Sequence, residues 1–217
     1  MSLLNAEVKS QLQQVFEHMK DPVTLALFTR KGDCPTCEET TSYLNELAET
    51  TESIRVVSYD MEEDAALAQE YNVQMVPSIV LLDKENHHHG IKFNGIPAGH
   101  EVNSLVHGIL EVSGAGLPLS EDVANRLSRL EKPVNIKVFV TLGCPHCPGA
   151  VEKAHKLALS SPWVDAEMVE AETFHELANQ FNVSSVPKIV INDSIEFVGN
   201  QELEVFVDEI EKGQAVN

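Results

Sequence analysis

Hydrophobic positions along this chain follow two alternating rhythms, and the same succession of rhythms occurs twice. Residues 23–29 are almost continuously apolar, which predicts a strand. After Cys34, apolar side chains at Tyr43, Leu44, Leu47 and Ala48 keep the spacing of one helical face. A second strand is expected at 54–59, a short helix at 60–69, two more strands at 77–82 and 90–95, and a closing helix at 102–110. An amphipathic helix through Val8, Leu12, Val15, Phe16 and Met19 comes first. The downstream half predicts a lead helix near 121–130 and strands near 134–140, 164–169, 188–191 and 195–198, with helices after Cys144, near 173–180 and over 201–210. Strands that alternate with helices imply parallel crossovers, and two consecutive strands late in each half imply an antiparallel hairpin at one side of a mixed sheet.

Sliding the chain over itself by 110 positions sets Cys34 on Cys144, Pro35 on Pro145, Cys37 on Cys147, Val76 on Val186 and Pro77 on Pro187. Tyr71-Asn72-Val73 likewise falls on Phe181-Asn182-Val183. The repeat divides the chain into two domains, 1–115 and 116–217, joined at a Gly114-to-Ser120 turn where Ser120 suits a helix cap. The expected class is α/β, two tandem domains that each carry a mixed four-stranded sheet flanked by helices.

The 217 residues, 43% of them hydrophobic, suffice for two separate cores. A formal net charge of −19 repels phosphate backbones and anionic lipid, so neither nucleic acid nor membrane is an expected partner. No apolar run reaches spanning length, and Met1-Ser2-Leu3-Leu4-Asn5-Ala6-Glu7 lacks the basic start and apolar stretch of a secretory signal. A cytoplasmic location is therefore expected, where thiols serve catalysis or metal binding more than stapling.

All four cysteines lie in two Cys-Pro-x-Cys tetrapeptides, Cys34-Pro35-Thr36-Cys37 and Cys144-Pro145-His146-Cys147. Disulfide exchange needs one thiolate to attack and a second thiol nearby to resolve the mixed disulfide. At a helix start the leading sulfur is favoured as thiolate by unpaired amides and the positive helix end, which draw its pKa from ~8.5 toward ~3.5 to 7.5. Cys34 and Cys144 are the expected nucleophiles, and Cys37 and Cys147 the resolving thiols. Pro35 and Pro145 fit the first helical turn, where a missing N–H costs little. His146 can stabilise the Cys144 thiolate, whereas Thr36 offers Cys34 only a hydroxyl, so the second site is expected to be the more oxidising. Asp33, Glu38 and Glu39 oppose thiolate formation at the first site, with Arg30 and Lys31 as counterweights. Pro148 cannot donate a helical bond back to Cys144, which predicts a distorted start to the second helix.

On these residues the chain resembles the two-domain, glutaredoxin-like protein disulfide oxidoreductases of the thioredoxin superfamily. The segments from Cys144 to Lys156 and from Gly95 to Glu101 carry the likeness most specifically. The resemblance implies two thioredoxin-fold units with a dithiol each and an activity that reduces, forms or reshuffles disulfides in protein clients. It also implies a thioredoxin-reductase-like flavoenzyme as electron donor, and no cofactor held by the chain itself. Val76-Pro77 and Val186-Pro187 correspond to the family's cis proline, beside which an extended client segment pairs. Two departures stand out. Neither Leu25-Ala26-Leu27-Phe28 nor Ile136-Lys137-Val138-Phe139 carries the buried acid that many such domains place on the strand before the site, and Pro145-His146 matches the dipeptide of strongly oxidising periplasmic proteins.

Zinc is the rival use of two Cys-x-x-Cys pairs, but ribbons separate their pairs by roughly 15 to 20 residues, and here a whole domain intervenes. No metal is expected. A peptide-binding or chaperone module with idle thiols is the other alternative. The histidine run 87–89 reads as a solvated turn, Trp163 as core, and His18, His100, His107, His155 and His175 have no spacing that demands catalysis.

Overall fold

The computed structural model describes residues 4–215, so the reading of Met1, Ser2 and Leu3 lies outside the described residues. Two compact units emerge. One is built on the residues up to His88 with Phe93–Ile96 and Ile109–Gly116; the other takes His89–Lys92, Pro97–Gly108 and the residues from Leu117 onward.

The first repeat runs α1 (Ala6–Phe16), β1 (Val23–Thr29), α2 (Cys37–Ala48), β2 (Ile54–Asp60), α3 (Ala65–Glu70), β3 (Ser78–Leu82), β4 (His88–Asn94), a 3₁₀ turn (Gly99–Glu101) and α4 (Val102–Val112). The second runs α5 (Glu121–Leu127), β5 (Val134–Val140), α6 (Cys147–Ser160), β6 (Val164–Glu170), α7 (His175–Gln180), β7 (Lys188–Ile191), β8 (Ile195–Val198) and α8 (Leu203–Ala215). Strand order is β2-β1-β3-β4 in the first repeat and β6-β5-β7-β8 in the second. β1 pairs parallel with β2 and antiparallel with β3, and β5 does the same with β6 and β7. That is the mixed sheet the hydrophobic rhythm predicts. Several strands match it to the residue, while α3 and α7 start later than expected because Asp60 and Glu170 form turns of their own.

β1 is buried on both faces, which explains its nearly unbroken apolar sequence, whereas β5 carries half-buried Asn135 and Lys137 in its first half. On one face Ala26, Phe28, Val80 and Leu82 meet Ala68, Tyr71 and Val73, with Phe28 stacked on Tyr59 at 5.3 Å and edge-on to Tyr71 at 6.1 Å. The second repeat copies this with Phe139, Val169 and Val190 against Ala178 and Phe181, the two rings 5.6 Å apart. Each of the phenylalanine, leucine and valine side chains contributes roughly 1.5–3 kcal/mol through burial, well above any surface ion pair. On the opposite side of the second sheet, α6 packs across β5 and β6. That packing fixes where its first turn, and so Cys147, stands.

Both short helices end at an asparagine in the left-handed region, Asn72 (φ 52°) and Asn182 (φ 49°). The following amides close back onto the helix, Val73 N to the Ala68 carbonyl at 2.7 Å and Val183 N to the Ala178 carbonyl at 2.9 Å. Asparagine tolerates that conformation where a branched residue does not, and the closure satisfies otherwise orphaned carbonyls. It aims the chain at the Val-Pro pair that follows.

Two expectations need correction. Trp163 is not core: it is 42% exposed, because the strand-start positions are filled by Val134 and Val164, and its backbone carries the contacts, the carbonyl accepting Val134 N at 2.8 Å and the amide donating to the Ser161 hydroxyl at 3.4 Å. Of the histidine run only His87 lies in the exposed turn; His88 and His89 open β4 and are half-buried, with His88 against the Tyr71 ring at 5.2 Å. Among the described residues no helix is long and apolar enough to cross a membrane.

Candidate active site

Each cysteine pair sits where a buried central strand delivers the chain to a helix N-terminus. β1 ends at Thr29 and α2 opens at Cys37; β5 ends at Val140 and α6 opens at Cys147. Thr36 and His146 stand at the N-cap positions, and neither side chain bonds to the first-turn amides. The partial positive charge at each helix entrance is thus uncompensated by a side-chain cap, as a nearby thiolate requires.

Each pair is joined as a disulfide within itself, with Cα–Cα distances of 5.4 Å for Cys34–Cys37 and 5.5 Å for Cys144–Cys147. Those separations suit a disulfide without backbone movement. The leading cysteine is the more exposed in both. Cys34 is half-buried against 6% for Cys37, and Cys144 is 8% exposed against 0% for Cys147. Pro35, Pro145 and His146 are exposed, and Thr36 is half-buried with its Oγ1 unpartnered.

The helix starts correct one expectation in part. α6 begins at the residue equivalent to the start of α2, so Pro148 does not displace it. The first turns still differ in one bond: Cys37 N bonds to the Cys34 carbonyl at 3.3 Å, and among the described residues no such bond joins Cys147 N to the Cys144 carbonyl, a difference that does not involve the nitrogen of Pro148.

Val76-Pro77 and Val186-Pro187 are both cis. Each proline carbonyl accepts the amide of a hairpin glycine, Gly95 at 2.9 Å and Gly199 at 2.8 Å. Val76 and Val186 are half-buried and both prolines buried. The flanks differ, however. Beside the first hairpin end, Asn94 and Ile96 are covered (2% and 7% exposed), whereas Val198 beside the second is 45% exposed. Asn200 approaches the first turn of α6 so closely that a Cβ on Gly149 would lie 2.3 Å from its Nδ2, and Lys153 Nζ donates to its Oδ1 at 2.7 Å.

The sequence reading missed Glu101. Its side chain is wholly buried beside α6, with Oε2 accepting from the Ser104 hydroxyl and Oε1 unpartnered. Desolvation, reinforced by the Glu152 carboxylate and opposed by Ser104, pushes its pKa up to about 7. The same turn is anchored to the approach to Cys144: His100 N bonds to the Leu142 carbonyl at 3.0 Å, and a Cβ on Gly99 would lie 2.5 Å from that oxygen. Gly99 (φ 58°) permits the approach. The signal was present in the Gly95-to-Glu101 segment, but nothing in one sequence distinguishes a buried glutamate from a solvated one.

Charge around the two pairs also differs. Near Cys34, Asp33, Glu38 and Glu39 are exposed, while Arg30 pairs with Glu62 at 3.5 Å and Lys31 with Glu63. No acid lies between Val140 and Val151 around Cys144. Among the described residues no cluster of three or more histidine, cysteine or carboxylate side chains could hold a metal ion.

A doubled strand-to-helix scaffold, each copy with a dithiol at the helix entrance, defines a tandem thioredoxin-fold protein. Family comparison agrees, with a thioredoxin model matching residues 5–107 and a thioredoxin-domain model matching 134–212. The structure aligns with that of the alkyl hydroperoxide reductase AhpF from Enterococcus faecalis at a TM-score of 0.88 and 33% identity, covering 94% of this chain and 98% of that one. It aligns with a protein disulfide oxidoreductase from Aeropyrum pernix at 0.89 and 29% identity, covering 97% and 93%. The corresponding alkyl hydroperoxide reductase protein of Staphylococcus epidermidis is 31% identical over 203 residues, 94% of this chain but 36% of that protein. The chain thus spans about a third of the length of the curated relatives it matches. It belongs to the thioredoxin superfamily, and its two disulfide-forming pairs fit thiol–disulfide exchange.

Proposed function

We propose that the chain exchanges disulfides with protein clients through both pairs, Cys34 and Cys144 attacking and Cys37 and Cys147 resolving. The observation that carries this is the exposure order within each pair at an uncapped helix entrance. In the reductive direction the Cys144 thiolate attacks a client disulfide, one client sulfur leaves as thiolate, and a mixed disulfide forms. The Cys147 thiol then loses its proton, attacks the Cys144 sulfur and expels the second client thiolate, leaving the client two electrons richer and the pair oxidised. Cys34 and Cys37 follow the same steps.

Four further roles belong to this reading. Val76, Pro77, Val186 and Pro187 dock the extended client segment, and the exposed Val198 widens the second docking surface. Pro35 and Pro145 set the first turns, and His146 stabilises the Cys144 thiolate more than Thr36 stabilises that of Cys34. Glu101 replaces the acid missing from β5 and moves the proton of the second site, supported by its burial, its titration near neutrality and its turn's anchor to Leu142. The functional domains divide at 115/116. A thioredoxin-reductase-like flavoenzyme supplies electrons and the site of action is the cytoplasm, in keeping with relatives named as an alkyl hydroperoxide reductase and a protein disulfide oxidoreductase.

Insulin-disulfide reduction tests the reading against a client-binding module with idle thiols. Wild type should reduce insulin and Cys34→Ser/Cys144→Ser should not, with binding of an unfolded client unchanged; full turnover by the double variant would refute it.

A further inference from the structure

The turn after the second strand is built alike in both repeats. Asp60 Oδ1 accepts Glu62 N and Glu63 N at 2.9 and 3.2 Å, and Met61 N bonds to the Thr29 carbonyl at 2.8 Å. In the second repeat Glu170 accepts Glu172 N and Thr173 N at 3.1 and 2.7 Å, and Ala171 N bonds to the Val140 carbonyl at 2.9 Å. What the turns face differs. The loop before Cys34 is one residue longer, with Arg30, Lys31, Gly32 and Asp33 against Thr141, Leu142 and Gly143, and Gly32 takes up the extra residue at φ 93°. Only there do two cations oppose the turn, Arg30 to Glu62 at 3.5 Å, with its Nη2 3.9 Å from Met61 Sδ, and Lys31 to Glu63.

We propose that Glu62 and Glu63 are positioning residues for the first dithiol: they occupy Arg30 and Lys31 in ion pairs, so these cations cancel against the glutamates instead of stabilising the Cys34 thiolate. The inference rests on the redox role proposed for Cys34. The turn is pre-shaped by its own backbone bonds, so the pairing needs no reorganisation. With the cations neutralised, Asp33, Glu38 and Glu39 set the sign of the local charge and the first pair is held reducing. All four paired side chains are partly or largely exposed, so the effect is screened by salt.

The test uses the full chain with Cys144→Ser/Cys147→Ser, so that only the first pair reports. The Cys34 pKa is followed by alkylation rate, and the dithiol equilibrium in glutathione buffers. At low salt Glu62→Gln/Glu63→Gln should lower the Cys34 pKa by about half a unit, and 1 M salt should erase the shift. Arg30→Gln/Lys31→Gln should raise it, and the quadruple variant, whose net charge equals that of the parent, should return to the parent value. A quadruple variant that titrates like Arg30→Gln/Lys31→Gln would show that the cations act directly on the sulfur, and an unmoved Glu62→Gln/Glu63→Gln would show that the pairs do not matter; either overturns the inference. A first pair that never cycles between dithiol and disulfide in the parent would overturn the redox reading itself.

Discussion

Glu101 is a residue whose chemistry the fold changes strongly. In the unfolded chain it titrates as an ordinary glutamate near 4.5, whereas in the folded protein burial moves it to about 7. A raised carboxyl pKa means that folding favours the protonated form, so its contribution is complete below pH 4.5 and is lost as pH rises through 7. Glu101→Gln keeps the neutral shape, and it should remove roughly 2 kcal/mol of the stability difference between pH 5 and pH 8, read from urea midpoints at the two values. His155, fully buried with its Nε2 donating to the Lys92 carbonyl at 3.1 Å, is held neutral with a pKa of about 3, chiefly by desolvation. It acts oppositely, costing stability as pH falls below 6.5, and wild type and Glu101→Gln share that slope. His146→Ala addresses the second sulfur: losing one stabilising interaction of ~1.4 kcal/mol with the thiolate should lower that pair's potential by ~30 mV in glutathione buffers. The paired cysteines and the two cis prolines were legible because their spacing has chemical meaning. Glu101 and Trp163 were not, since burial of one and exposure of the other follow from which neighbours fill the space.

At the level of elements, periodicity located the strands well because β1 is covered on both sides and shows it as a nearly unbroken apolar run, while β5 alternates apolar with half-buried Asn135 and Lys137 before its closing Val138-Phe139-Val140. Ends set by turn chemistry were harder. The residues from Asp60 and from Thr173 onward look helical in sequence, but the Asp60 and Glu170 carboxylates accept nearby amides and hold a turn before α3 and α7 begin. The extra residue at Gly32 was hidden by an alignment offset of 110 that fits the cysteines, whereas β1 and β5 are offset by 111. Tying α5 to α8, Arg126 bonds Glu211 through Nε at 3.0 Å and Nη2 at 2.7 Å, and also reaches Asp208. Two carboxylates on one guanidinium exceed a typical surface pair, so Arg126→Leu should cost about 1 kcal/mol at low salt and less at 1 M salt, measured by thermal unfolding.

Over the whole molecule, duplication explains why so much could be read from one sequence: each feature that recurs, from the tetrapeptides to Asn72 and Asn182, constrains its copy. The differences between copies lie in what surrounds each pair. One pair stands among acids with its neighbouring cations engaged, and the other beside an exposed histidine, an open hydrophobic ledge and a buried glutamate. The account therefore predicts two active dithiols of unequal potential. Equilibration of wild type, Cys34→Ser/Cys37→Ser and Cys144→Ser/Cys147→Ser in graded glutathione buffers, with trapped thiols counted by mass, measures this directly. Two reversible two-electron transitions should appear, the 144–147 pair being the more oxidising. A pair that stays oxidised or reduced across the series, or a reversed order, would contradict it.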